Sequence, residues 1–219
     1  MRFLRDNGLT IVLVLASLAT IFGMFLSGWS VYNDELKEHG SQAVPLFAYA
    51  TSSHFLSALF ENWESEFLQM SAYVVLTAFL FQRGSAESKD PDEIADQDED
   101  PAVKDRDRHA PLPVRLGGLP RSVYSYSLGL ALAGLFLFSF ILHLRFSAEA
   151  HNVDALAHGQ AAQQTWEYFG SAQFWFESFQ NWQSEFLSTA VLVVLSIFLR
   201  FRGSPESKPV AAADSETGS

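Results

Sequence analysis

The sequence predicts an all-α membrane protein with four transmembrane helices, arranged as two parallel two-helix repeats with pseudo-twofold symmetry about the membrane normal. Three observations predict it: long charge-free apolar runs, an ungapped internal repeat, and the placement of lysine and arginine. The bare composition, 48% hydrophobic over 219 residues, would also suit a soluble protein; it is the distribution along the chain that decides.

From Asn7 to Asn33 no side chain is charged. That stretch exceeds the roughly 20 residues that cross about 30 Å of hydrocarbon. A second such run, Ser122 to Leu144, is as clear, and two shorter ones, Phe67 to Gln82 and Phe186 to Leu199, are each closed by arginine. Arg2 and Arg5 give the first run a basic start like that of a secretory signal. Its apolar core is longer than a signal core and no small-x-small cleavage site follows, so it is expected to remain as a membrane helix.

The second observation is the repeat. Shifted by about 119 positions without a gap, a period that marks a duplicated unit, the sequence aligns with itself. Asn33 meets Asn152, His39 and Gly40 meet His158 and Gly159, Tyr49 meets Tyr168, and Phe55 meets Phe174. FENWESEFL from Phe60 then meets FQNWQSEFL from Phe179, and RGSAESK from Arg83 meets RGSPESK from Arg202. Each repeat holds two spans, so both have the same orientation and are expected to pack about an axis along the membrane normal.

The resulting organisation is residues 1–83 as the first two-span repeat, 84–120 as a linker, 121–202 as the second repeat, and 203–219 as a tail. The linker holds much of the acid behind the net charge of -11. Rich in Asp and Pro and poor in aliphatic residues, it is expected to be disordered, as is the tail. Two readings of it stay open: a solvated tether, or a docking segment for a basic cytoplasmic partner.

Orientation follows from the cations. Of 14 Lys and Arg residues, Lys37 and Arg145 lie between paired spans, and the other 12 lie at the termini and in the linker. Both termini are therefore expected in the cytoplasm.

The even-numbered spans carry the candidate site. If Arg83 marks the inner boundary, about 20 residues back reaches Trp63, a residue type that prefers the outer interface. Trp63 and Trp182 are thus expected as outer anchors, and Arg83, Arg200 and Arg202 as inner ones. Ser52 or Ser53, and Ser171, are expected as helix caps, with Gly84 and Gly203 as stops.

Glu66 and Glu185 then lie about one turn inside the outer boundary, where an acid usually faces the bundle interior or a wet cavity. Asn62 and Asn181, four residues earlier, share their faces. Two readings stay open: a ligand or ion site built from Asn62, Glu66, Asn181 and Glu185, or a structural hydrogen-bond cluster with simple snorkelling. Glu61 and Glu64 face Gln180 and Gln183 across the repeat, so those extra charges are expected to be dispensable to the shared geometry.

His39 and His158, with Asn33, Glu35, Asn152 and Asp154 nearby, are a weak alternative metal or proton site; their spacing fits no closed metal motif and equally fits a turn. The sequence assigns no role to His54, His143 or His151. With no cysteine, disulfides, thiolate metal sites and Cys nucleophiles are excluded. No phosphate loop, zinc-protease or nucleophile-elbow motif is present, so no enzyme, cofactor or catalytic residue is expected. The acidic linker argues against nucleic acid.

The segments RFLRDNGLTIV and FLSALFENWESEFLQMSAYVVLTAFLFQRGSAESKDPDE, with the second FxNWxSEFL, resemble an uncharacterised family of bacterial integral-membrane proteins grouped as a domain of unknown function. The likeness covers nearly the full length, with NWxSEF and RGSxESK its most specific parts. It implies a four-span protein of the bacterial inner membrane and supplies no activity or ligand. The expected function is non-enzymatic: a structural, adaptor or stress-related membrane protein, in contact with the lipid bilayer and with further copies in a homo-oligomer. The alternative is a small ion or solute transporter or channel subunit whose path passes between Glu66 and Glu185.

Overall fold

The computed structural model describes residues 2–218; Met1 and Ser219, the outermost residues of the first repeat and of the tail, lie outside the described residues, as does the side chain of Arg2. In order, the helices are α1 (Arg2–Asp6), α2 (Gly8–Glu38), α3 (Leu46–Tyr49), α4 (Ser53–Phe79), α5 (Leu112–Leu116), α6 (Gly118–Ser125), α7 (Ser127–Ala157), α8 (Thr165–Phe169) and α9 (Ala172–Phe198). Two 3₁₀ turns, Asp96–Asp98 and Pro101–Lys104, lie in the linker, and there is no strand among the described residues. The fold is all-helical. Helices α2 and α7, of 31 residues each, are long and apolar enough to cross a membrane. Their first residues, 8 and 127, differ by the 119 of the sequence repeat, as do those of α4 and α9 at 53 and 172.

Contacts gather into two units, Met1–Glu61 with Ile141–Phe174, and Asn62–Phe140 with Trp175–Ser219. In the first unit, polar side chains of the long helices hold the connecting loops. The Asn33 carboxamide donates to the Val44 carbonyl at 3.1 Å and accepts from the Val44 amide at 2.6 Å. Asn152 repeats both bonds on Gln163, each at 2.8 Å. The repeated asparagines therefore satisfy loop backbone groups, a role their place in the sequence did not disclose. The indole N–H of Trp29 adds a second donor to the Val44 carbonyl at 2.7 Å.

After each clamp the chain buries the repeated Tyr–Phe pair: Tyr49 and Phe55 in one copy, Tyr168 and Phe174 in the other, all at most 7% exposed. Tyr49 and Phe55 rings lie 5.6 Å apart, and Tyr168 and Phe174 rings 6.0 Å. Gly28 makes room for Tyr49, whose hydroxyl would stand 2.5 Å from any Cβ at that position. Ser52 and Ser171 accept from the amides of Phe55 and Phe174, each at 3.2 Å, and so cap α4 and α9 as expected.

The helix stops differ from expectation. α4 ends at Phe79 and α9 at Phe198, ahead of Gly84 and Gly203, because the RGSxESK turns intercept the helical bonds. The Ser88 hydroxyl accepts from the Gln82 amide at 2.8 Å, and the Lys89 ammonium takes the Ala78 carbonyl at 3.2 Å, the two groups a continued helix would pair. Ser207 repeats the first bond on the Phe201 amide at 2.9 Å. Gly84 and Gly203 lie inside these turns with φ of 85° and 89°, the left-handed region that favours glycine.

Both segments after the helices carry specific contacts in the second unit. The Gly84 amide donates to the Thr217 hydroxyl at 2.8 Å, and the Gly218 amide to the Ser85 carbonyl at 2.8 Å. Lys208, 3% exposed, donates to the carbonyls of Ala213, Asp214 and Glu216. This ring of backbone acceptors gives the tail a polar centre although it has little apolar surface to bury.

Asn33→Ala should leave the half-buried Val44 amide without its acceptor and cost about 1 kcal/mol of stability. Asn152→Ala should cost less, since that clamp is exposed and water replaces it. Thermal unfolding in detergent, with amide exchange at residues 44 and 163, checks the order.

Candidate functional site

The FxNWxSEFL segments lie in the first half of α4 and α9. A helix turns 100° per residue, so residues 62 and 66 share one face, 64 lies opposite it and 65 at its flank. In the second unit Asn62 and Glu66 are exposed, whereas Glu64 and Ser65 are buried at 0% and 2% exposure. Glu64, read from the sequence as dispensable to the geometry that the two copies share, makes a contact of its own. Its carboxyl accepts from the indole N–H of Trp182 at 3.0 Å, joining the unrepeated acid of α4 to the repeated tryptophan of α9. Burial of an acid demands such donors.

Trp182 is accordingly only half exposed and sits in an aromatic cluster with Phe136, Phe140, Trp175 and Phe179. Trp63 is 37% exposed. The two repeated tryptophans thus differ in exposure, and the indole N–H of the second is committed to the buried Glu64. The signal in the sequence was the mismatch of Glu64 with Gln183, read there as a dispensable difference.

Of the four residues predicted as a site, Glu185 is half-buried and feels the charge of Glu66. Asn181 donates to the Glu177 carbonyl of its own helix at 3.2 Å. Three residues after Glu66 on α4, Gln69 donates to the Thr189 hydroxyl of α9 at 2.6 Å. The α4–α9 seam is therefore polar at two levels, Glu64 with Trp182 and Gln69 with Thr189.

The arginines at the far end behave differently from one another. Arg83 pairs with Asp92 at 2.7 Å, both exposed. Arg200, 12% exposed at its side chain, folds back to the Ser196, Ile197 and Leu199 carbonyls and pairs with Asp214 at 3.0 Å. It closes the end of α9. Arg202 is exposed.

In the first unit His39 and His158 meet, with ring centroids 5.2 Å apart. Each contacts the carbonyl four residues back through Nδ1, His39 with Glu35 at 2.8 Å and His158 with Asp154 at 2.9 Å. Gly40 and Gly159 follow with φ of 68° and 71°, so these positions do form turns. Among the described residues there is no group of three or more histidines and acids that could hold a metal.

His54 packs on Tyr32, and His151, which stands at the position of Tyr32 in the second copy, packs on Tyr168 with ring centroids 5.2 Å apart. The Tyr32 and His54 rings lie 4.8 Å apart, and His54 Nδ1 meets the Tyr49 hydroxyl at 2.9 Å. Burial pushes the Tyr49 phenol up to about 12, with Glu35 and Tyr32 adding to it. Burial also holds the His54 imidazole below its usual range, against the opposing pull of Glu35.

One family model matches residues 1–219 of the chain. The chain belongs to the family described as Domain of unknown function (DUF6766). No curated protein and no solved structure matches it.

Trp182→Phe keeps the aromatic packing and removes a donor to buried Glu64, and should cost about 1–3 kcal/mol; Glu64→Gln, which keeps an acceptor, should cost less. Chemical unfolding of both variants and the double variant measures their coupling. His54 titrates below the ordinary imidazole value, so its neutral form favours the fold. That contribution is complete above the ordinary range and is lost as pH falls through it towards the folded value. His54→Gln, the residue of the second copy, should flatten this slope in stability measured against pH.

Proposed function

We propose that the chain is a four-span protein of the bacterial inner membrane with a non-enzymatic, structural or adaptor role, working as a homo-oligomer. The observation that carries this reading is the exposure of the apolar helices. None of the most apolar window of α2 is buried and 17% of that of α7 is, whereas the core helix of a soluble protein would be covered. Leu9, Val12, Leu15 and Phe22 on α2, and Leu128, Leu137 and Ile141 on α7, are all more than half exposed. Lipid and further copies of the chain are the partners that match such faces.

α4 and α9, at 27 residues each, span about 40 Å at 1.5 Å per residue, sufficient to cross as the second helix of each repeat. The acids of α4 then lie near the outer leaflet. Two equivalent two-span repeats imply a pseudo-twofold axis along the membrane normal, with both termini in the cytoplasm. A polar seam that ties α4 to α9 suits a scaffold.

A second reading has its own observation: Glu66 acts on the half-buried Glu185. Two interacting acids near the outer leaflet would suit an ion or solute path through an oligomer.

The cysteine-free chain makes the topology testable by single-cysteine labelling without background. Ser41→Cys and Ala161→Cys should react with a membrane-impermeant maleimide in intact cells; Asp100→Cys and Ala211→Cys should react only after permeabilisation. Labelling of Asp100→Cys in intact cells would show that α4 does not cross. Glu66→Gln with Glu185→Gln should leave oligomer assembly intact; loss of ion flux in proteoliposomes from that double variant would favour the second reading.

A further inference from the structure

A cavity of about 350 Å³ lies in the second unit between the second halves of α4 and α9 and the turn that follows α4. Its walls are mainly Leu76, Leu80, Phe186, Val193 and Val194, and among its lining residues Glu87 is an acid and none is a lysine or arginine. The size falls in the lower part of the range of small-molecule sites, which are mostly apolar with a few placed polar groups.

The acid is placed deliberately. The turn bonds of Ser85 and Ser88 fold Glu87 back beneath α4, where Glu87 Oε2 accepts from the Tyr73 hydroxyl at 2.8 Å. Oε1 is also buried, and the carboxyl has Glu206 as a hydrogen-bonded neighbour. Burial pushes the Glu87 carboxyl up and the neighbouring Glu206 carboxylate adds to that push, while the Tyr73 hydroxyl opposes it. Two acids, Glu87 and Glu206, thus meet beside apolar walls, and no lysine or arginine is among the residues that line the cavity; the Lys89 ammonium lies over the Phe81 ring at 5.7 Å and pairs with Asp98. Tyr73, Phe81 and Phe186 also bring aromatic rings to the cavity, the groups that favour quaternary ammonium ions.

We propose that this cavity binds a small hydrophobic organic cation, its apolar body between α4 and α9 and its charge at Glu87. The site belongs to one copy of the repeat. Glu206, the counterpart of Glu87, is exposed, and Leu192 stands where Tyr73 would be needed to hold it.

The test is equilibrium dialysis of benzyltrimethylammonium against the full chain in nanodiscs of zwitterionic lipid, with neopentylbenzene, its uncharged carbon isostere, as competitor. Saturable binding is expected, weakened about tenfold or more by Glu87→Gln, which removes the partner charge and keeps the shape. Ala190→Leu, which narrows the cavity and leaves the acid, should also weaken it; Tyr73→Phe should change it by only a few-fold. The proposal is overturned if the unaltered chain shows no saturable binding because lipid tails fill the space, or if neopentylbenzene displaces the cation fully. It is equally overturned if Ala190→Leu binds like the unaltered chain, a result that does not depend on Glu87→Gln folding.

Discussion

Every helix end leaves backbone groups without partners, and in a protein built mainly from long apolar helices this constraint governs the rest. The chain meets it with side chains placed at fixed offsets. Ser52 and Ser171 start α4 and α9, Asn33 and Asn152 hold the loops before them, and Ser88 and Ser207 end the same helices. These residues make up much of the polar part of the repeat, and their recurrence follows from bonding to main chain, which does not depend on the identity of neighbouring side chains.

The seam between α4 and α9 obeys a different logic. There polar groups meet side chain to side chain, and the two copies diverge. Glu64 needs Trp182, and the positions that correspond to them hold Gln183 and Trp63, where the acid is absent. Gln69 needs Thr189, at positions occupied by Ser188 and Met70 in the other register. A shared face between two similar helices need not be symmetric, because each partner reads the other's sequence and not its own.

This difference sets what was legible beforehand. The α2 and α7 helices, the caps at Ser52 and Ser171 and the period of 119 could be read from charge-free length, cap residue types and self-alignment. The helix stops were misplaced, because Gly84 and Gly203 look like terminators and the responsible group, Ser88 or Ser207, lies several residues beyond. Glu64 was passed over because self-alignment ranks a residue by its recurrence, and its value lies in an unmatched partner on the other helix. Tyr73 and Glu87 escaped for the same reason: only the fold of the turn brings them to 2.8 Å.

The tail residues Thr217 and Gly218 bond to Gly84 and Ser85, at the very turn that ends α4. Any event that orders or frees the tail thereby changes the free energy of that turn, and by reciprocity an event at the turn changes the tail's affinity for whatever it meets. Two stretches remote in sequence are in this way a single thermodynamic element, through which the end of the chain senses the state of its middle.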